Sequence, residues 1–307
     1  MPVKVPLSLP AAKRLAGENI FIMDSARAST QEIRPLRIAV LNLMPNKLDA
    51  ETQWLRLLSN NPLQVEVVLL KTASYNPKTA AAEHLETFYR TFDEVKSAGM
   101  KFDGLIVTGA PVEKLDYQDV AYWEELKGIM AWAEHHVYSS MYICWAAQAA
   151  MYYLYGIEKR VLPEKIFGIF TQCVPDKRNP LVRGFDDEFA APHSRYTQID
   201  ADAVRACDRV DILAESDEAG IYLAADKTLR KVFVFGHGEY DAETLHNEYM
   251  RDLKNGEDIM PPAHYYVNGV TGALPPLSWR AHQSLLVSNW LNYCVYQATP
   301  YDIETIR

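Results

Sequence analysis

Two short stretches carry the residue types that covalent chemistry needs. In "YICWAAQAA" (142–150), an apolar run gives way at Cys144 to a segment of helical character. A strand that turns sharply into a helix lifts the turn side chain clear of the sheet, and it aims the first helical N–H groups at whatever that side chain attacks. A thiol at that point faces the positive end of the helix dipole, which suits a nucleophile that works as an anion. In "FGHGEYD" (235–241), His237 ends an apolar strand between Gly236 and Gly238, and Glu239 follows two residues later. Side chains at i and i+2 of an extended segment share a face, so Glu239 can orient the imidazole while His237 serves Cys144 as base. Each stretch also has a plain structural reading: a small residue closing a helix start, and a strand-end histidine beside a solvated glutamate. The glycines that commonly flank such elbows are replaced here by Trp145 and Ala146.

The elements around these residues decide whether they can meet. "LRIAVLNLM" (36–44), "LQVEVVLL" (63–70), "FDGLIVTGAP" (102–111) and "YSSMYICW" (138–145) read as buried strands. Segments of helical spacing alternate with them at 49–61, 84–99 and 120–136, and a further one follows Cys144. This alternation predicts an α/β fold: a mostly parallel sheet with helices on both faces, whose ligand crevice lies at the carboxyl ends of the strands. Cys144, Thr108 to Ala110, and Asn42 to Lys47 all fall at such ends. Shorter strands at 165–174, 209–216, 220–226 and 231–237 are expected to extend the same sheet, with helices at 241–256 and 278–297. Residues 1–307 are read as a single domain, with 1–35 as an irregular N-terminal arm.

Bulk properties exclude several classes. The 307 residues are 49% hydrophobic, which is ample for a large core, and the net charge is −9. An acidic chain is a poor partner for nucleic acid, whose phosphates need clustered Lys and Arg. No apolar run approaches the roughly 20 residues that span a bilayer, and the Pro-rich start makes a poor signal peptide. A cytoplasmic protein is expected. Cys144, Cys173, Cys207 and Cys294 form no C-x-x-C pair, so neither a zinc site nor a redox motif is indicated, and all four are expected as free thiols. With no phosphate-binding Gly-rich loop and no metal-ligand spacing, no cofactor or metal is expected.

A strand-end Cys with a downstream His-x-Glu resembles the class I glutamine amidotransferase fold, a flavodoxin-like three-layer arrangement. Four stretches, "LNLMPNK" (41–47), "TGAPVE" (108–113), "YICWAAQAA" (142–150) and "FGHGEYD" (235–241), make the chain similar over essentially its whole length to one branch of that fold. That branch is the homoserine O-acyltransferases of methionine biosynthesis, often labelled homoserine O-succinyltransferase. The resemblance implies a ping-pong reaction in which Cys144 takes the acyl group from acyl-CoA as a thioester and homoserine then receives it. His237 would act as base and Glu239 would orient it, with the Trp145 backbone N–H in the oxyanion hole and the "TGAP" loop on the other side of that pocket. Lys47 matches a family lysine close to the site, and Lys165 and Ser194 match substrate-contacting positions. Arg251 is placed to bind the homoserine carboxylate, a task that suits a planar guanidinium. A homodimer, with L-homoserine and acyl-CoA as its small-molecule partners, is expected on the same ground.

On the same resemblance, Glu113 is expected to select the acyl group. Members of the family that use succinyl-CoA have glycine there, leaving room for a second carboxylate. A glutamate sets charge against charge: at about 4 Å and an effective dielectric near 20, the repulsion is of order 4 kcal/mol, roughly a thousandfold. Acetyl-CoA is not penalised, so acetyl transfer is expected, with succinyl transfer as the alternative. A glutamine amidotransferase or related cysteine hydrolase on the same fold is the rival enzyme. The missing elbow glycines and the lack of a following synthetase domain speak against it. A catalytically inert binding protein would have no use for Cys144, His237 and Glu239 together.

Overall fold

The computed structural model describes residues 3–6, 8–18, 22–23, 34–74 and 82–306. The strands are β1 (Val3–Lys4), β2 (Ile22–Met23), β3 (Leu36–Leu41), β4 (Val65–Lys71), β5 (Tyr89–Thr91), β6 (Phe102–Val107), β7 (Val137–Ile143), β8 (Lys159–Cys173), β9 (Glu188–Ile199), β10 (Val210–Ser216), β11 (Gly220–Asp226) and β12 (Lys231–Val234). The helices are α1 (Pro10–Gly17), α2 (Lys47–Ser59), α3 (Ala82–Phe88), α4 (Phe92–Ser97), α5 (Trp123–His136), α6 (Trp145–Tyr155), α7 (Ala201–Ala206), α8 (Thr244–Lys254) and α9 (Arg280–Asn289).

The strands form one sheet in the order β2-β1-β4-β3-β6-β7-β12-β11-β10-β8-β9, with β5 beside the end of β4. From β2 to β12 the pairings are parallel, and beyond β12 they are antiparallel. The later strands therefore do extend the first sheet. Alternate side chains serve opposite faces, as the pleat requires. Ile38, Val40, Met141 and Ile143 join one core with Trp54 of α2 and Trp290. Ala39, Leu41, Leu105 and Tyr142 join the other, with Trp123 of α5 and Trp145 of α6. Burial on both faces makes each central strand a continuous apolar run, and each fully buried Leu, Val or Phe contributes about 1.5–3 kcal/mol. Trp290 also ties its core to β7, donating from Nε1 to Ser139 Oγ at 2.9 Å. A buried carboxylate in β6, Asp103, is satisfied by both Arg34 amino groups (3.0 and 2.9 Å) and by the Arg37 N–H (2.7 Å).

Three sequence expectations need correction. The helix read over 84–99 is two helices separated by β5. Thr91 caps α4 in a reciprocal box with Glu94, and that local bonding starts a new helix. The supposed irregular arm contains α1, with Pro10 in its first turn and Ala11, Ala12 and Leu15 buried; the rest of 1–35 lies largely outside the described residues. The segment read as a strand at 165–174 begins earlier, at Lys159, and pairs antiparallel with β9, a strand the sequence reading missed.

Candidate active site

Cys144 alone separates β7 from α6, with φ 50° and ψ −112°. A non-glycine residue held at such a positive φ stores about 1–3 kcal/mol and persists only where its surroundings over-determine it. Its N–H donates to the Val234 carbonyl of β12 at 2.7 Å, and its own carbonyl accepts from the Ala147 and Gln148 N–H groups at 3.1 and 3.2 Å. Trp145, where an elbow glycine would stand, is fully buried and packs its ring against Tyr117 and Tyr122. The turn is thus anchored in the core on its helical side. As the first helical residue, Trp145 presents an N–H that no preceding carbonyl of the helix can take.

His237 arrives from the adjacent strand. Val234 pairs with Ile143, and the chain then crosses the sheet end to His237, whose N–H donates to the Pro192 carbonyl at 2.8 Å. His237 Nδ1 lies 2.7 Å from Glu239 Oε1, so that Nδ1–H donates to the carboxylate, and the ring stacks on Tyr240 at 4.3 Å and 15°. The flanking glycines are spatial requirements. A Cβ at Gly236 would meet the Tyr222 ring at 2.7 Å, and one at Gly238 would meet Gln283 Oε1 at 2.3 Å. Glu239 is hydrogen-bonded to the buried imidazole, and Cys144 is its other charged neighbour. Burial opposes its charging, but the neighbouring Cys144 and Glu239 charges outweigh it and hold His237 well above the usual histidine range. The three side chains thus form a line able to pass a proton from thiol to imidazole.

The "TGAP" loop closes over this line. A Cβ at Gly109 would lie 3.3 Å from His237 Cε1 and 3.4 Å from Cys144 Cβ, so the loop backbone packs against both residues. Thr108 Oγ1 accepts from the Leu43 N–H at 2.8 Å, which fastens "LNLMPNK" alongside. Lys47 is buried there and donates to the Asn42 carbonyl. Burial, opposed by Glu51 and reinforced by Lys71, pushes its pKa down to about 8. Beneath it, Asn42 Nδ2 donates to Tyr89 Oη at 2.9 Å and Tyr89 donates to buried Glu51 at 2.6 Å.

Lys165, Ser194 and Arg251 come together on a second group of charges. Glu248 Oε1 accepts from Lys165 Nζ at 2.8 Å and Ser194 Oγ at 2.7 Å, and Arg251 Nη2 stands 3.7 Å away. Asp252 receives Lys165 at 3.2 Å and Arg251 Nη2 at 2.6 Å. The sequence reading missed both carboxylates, although Glu248 precedes Arg251 by three residues on one helical face, a spacing at which side chains meet. It also missed Tyr240. Burial and the charges of Glu248, Glu239, Cys144 and Glu113 push that phenol well above its usual range. Glu113 itself is fixed through its carbonyl, which accepts from Lys159 Nζ at 2.6 Å. Among the described residues, no three His, Cys, Asp or Glu side chains are placed to hold a metal ion.

A family model described as homoserine O-succinyltransferase matches residues 2–301. A homoserine O-succinyltransferase of Aliivibrio fischeri (strain MJ11) is 53% identical over 304 residues, covering 99% of this chain and 96% of its own length. A homoserine O-acetyltransferase of Shouchella clausii is 52% identical over 304 residues, covering 99% and 98%. One of Petrotoga mobilis (strain DSM 10674 / SJ95) is 53% identical over 306 residues, covering 100% and 98%. Among solved structures, a glutamine amidotransferase from Thermotoga maritima superposes with TM-score 0.53 at 14% identity, over 84% of this chain and 98% of that one. A glutamine amidotransferase from Methylobacillus flagellatus gives 0.53 at 12%, over 85% and 95%. These two likenesses are of fold, and they make the fold class I glutamine amidotransferase-like.

Proposed function

The chain belongs to the homoserine O-succinyltransferase family, and on that premise we propose that it transfers an acetyl group from acetyl-CoA to the hydroxyl of L-homoserine through a Cys144 thioester, supplying methionine biosynthesis. The observation that carries this reading is the Cys144–His237–Glu239 line, assembled at the ends of two adjacent strands with the Glu248 cluster beside it.

In the first half-reaction, His237 takes the thiol proton and the sulfur attacks the thioester carbonyl. The oxyanion develops beside the Trp145 N–H and the Gly109 loop. Collapse expels the CoA thiolate, which receives the proton from His237. One thioester replaces another, so the exchange has little driving force in either direction and the acyl group remains transferable. In the second half-reaction, homoserine enters with its ammonium against Glu248 and its carboxylate against Arg251, with Lys165 and Ser194 holding Glu248 in place. His237 takes the hydroxyl proton, the new ester oxygen attacks, and the proton returns to the Cys144 sulfur as it leaves. Lys47 lines the approach to this centre, and no resident cofactor takes part. The same family likeness underlies our reading of the enzyme as a homodimer.

Relatives of near-equal identity bear both the acetyl and the succinyl name, so overall similarity does not choose the donor. Glu113 supports acetyl. Its charge helps to raise the phenol of Tyr240, whose ring stacks on His237, and a succinyl carboxylate beside Glu113 would meet like charge. Intact-protein mass spectrometry tests the proposal. Acetyl-CoA without homoserine should add one acetyl group to the wild type and none to Cys144→Ala, and homoserine should discharge it. Turnover persisting in Cys144→Ala would sink the thioester. Equal loading by succinyl-CoA would remove the acetyl assignment and leave the thioester standing.

A further inference from the structure

The loop that carries His237 and Glu239 is gripped from two sides. Tyr222 of β11 lies against Gly236, where an added Cβ would meet its ring at 2.7 Å, and Gln283 of α9 lies against Gly238, where one would clash with Gln283 Cβ, Cδ and Oε1. The two gripping side chains are joined, Tyr222 Oη donating to Gln283 Oε1 at 2.9 Å, and both are buried. Each is also fastened to the loop's flanks. The Phe235 N–H donates to the Tyr222 carbonyl at 2.7 Å, and Trp279, one turn before Gln283, donates from Nε1 to the Tyr240 carbonyl at 2.8 Å. Residues three and four apart share a helix face, so Trp279, Arg280 and Gln283 front the loop together, and Arg280 Nη2 meets Asp241 at 2.6 Å.

Within this grip two polar atoms are left over. Glu239 gives Oε1 to the His237 Nδ1–H, while its Oε2 is buried with no partner among the described residues. Gln283 gives Oε1 to Tyr222, while its Nε2 is likewise buried and unpartnered. One is an acceptor on an acid and the other a donor on an amide, and Gln283 packs on the residue that precedes Glu239. A buried donor and a buried acceptor at one packing contact are each costly while unpaired. Pairing them removes both costs.

We infer that Gln283 is a positioning residue for the reaction: held by Tyr222, it presents Nε2 to the free carboxylate oxygen of Glu239 and so fixes the group that orients His237. Catalytic hydrogen bonds are commonly long before substrate binds and tighten as charge develops. This one closes when His237 takes the thiol proton and Glu239 faces an imidazolium. The absence of a side chain at Gly238 is what lets Gln283 approach so near. The inference rests on the reading of Cys144, His237 and Glu239 as the catalytic line.

The test is a double-mutant cycle read on the rate constant of Cys144 acetylation by acetyl-CoA, followed by intact-protein mass spectrometry. Unfolded protein lowers the amplitude of that phase and leaves its rate constant alone. Gln283→Met keeps the volume and removes the donor. It should slow the phase by about thirtyfold, as for a hydrogen bond to a charged group. Tyr222→Phe keeps the ring against Gly236, removes the hydroxyl that orients the amide, and should slow it by about fivefold. In a Glu239→Ala background neither substitution should slow it further, because both act through the carboxylate. A folded Gln283→Met protein that acetylates at the wild-type rate overturns the inference. So does a loss that persists undiminished in the Glu239→Ala background, which would make Gln283 a packing residue only. Tyr222→Phe decides by the same two criteria should Gln283→Met fail to fold. Wild type that takes up no acetyl group, or Glu239→Ala that acetylates at the wild-type rate, overturns the catalytic reading and the inference with it.

Discussion

The catalytic line and the Glu248 cluster adjoin each other but are built on opposite plans. Cys144 and His237 are placed by backbone: two adjacent parallel strands end together, and main-chain bonds from Cys144 to Val234 and from His237 to Pro192 set both residues before any side chain is considered. Lys165, Ser194, Glu248, Arg251 and Asp252 are placed by one another, through ion pairs and a hydrogen bond linking β8, β9 and α8. On the proposed function, the first group stores strain and charge that only a reaction uses. The second is internally neutralised, so a zwitterionic substrate must exchange places with existing partners. Under the proposed function, reactivity is therefore preorganised here, whereas recognition is competitive.

His237→Asn gives the sharpest test of that division. It should reduce CoA release in the absence of homoserine by about 10⁴-fold or more, read as the burst on mixing with acetyl-CoA; a burst near wild type would place the base elsewhere. Next in size, Glu113→Gly should change the ratio of kcat/KM for acetyl-CoA over succinyl-CoA by about a thousandfold toward succinyl-CoA, without altering homoserine KM. Glu248→Gln should raise homoserine KM about a hundredfold and leave the CoA burst intact. A slowed burst in that variant would dissolve the boundary between the two groups.

The smallest effect concerns Lys47, the catalytic-side cation that lacks the mutual neutralisation of the Glu248 group. Its folded-state pKa of about 8 lies below the ordinary lysine value, so the folded protein releases this proton before the unfolded chain does. The charged form is penalised below about pH 8, and stability should rise with pH between about 8 and 10. Lys47→Met should therefore gain about 2 kcal/mol at pH 7, a gain that shrinks above pH 8. Urea denaturation at pH 7 and about pH 9.5 measures both values, and a gain growing with pH would contradict the assignment.

How much of this was legible follows from the same contrast. The parallel strands β3, β4, β6 and β7 are buried on both faces and show as unbroken apolar runs, so their ends, with Cys144 and the Gly109 loop, can be found by inspection. β9 cannot: "EFAAPHSRYTQI" mixes Pro192, His193 and Arg195 with apolar residues, and its polar side chains bond to Gln172, Glu248 and the Ala219 carbonyl on other elements. The break at Tyr89 was hidden by helical spacing on both sides, though Thr91 and Glu94 signalled a new helix start. Lys165, Ser194 and Arg251 were reached only through the family resemblance. Their meeting point, Glu248, depends on three elements converging, which no local pattern encodes.

The parallel pairing of β7 with β12 has a consequence for how such a protein could be altered. Between Cys144 and His237 the chain leaves at α6, builds β8 to β11, and returns at β12 beside the strand it left. Topologically, the antiparallel half of the sheet is an excursion whose two ends are pinned side by side. Its hairpin could be lengthened, trimmed or exchanged with little force transmitted to Cys144, provided that Val234 still returned opposite Ile143 and Pro192 still received His237. Redesign for a different acceptor alcohol would then be a matter of editing the excursion and α8, with the reacting atoms left where two neighbouring strands put them.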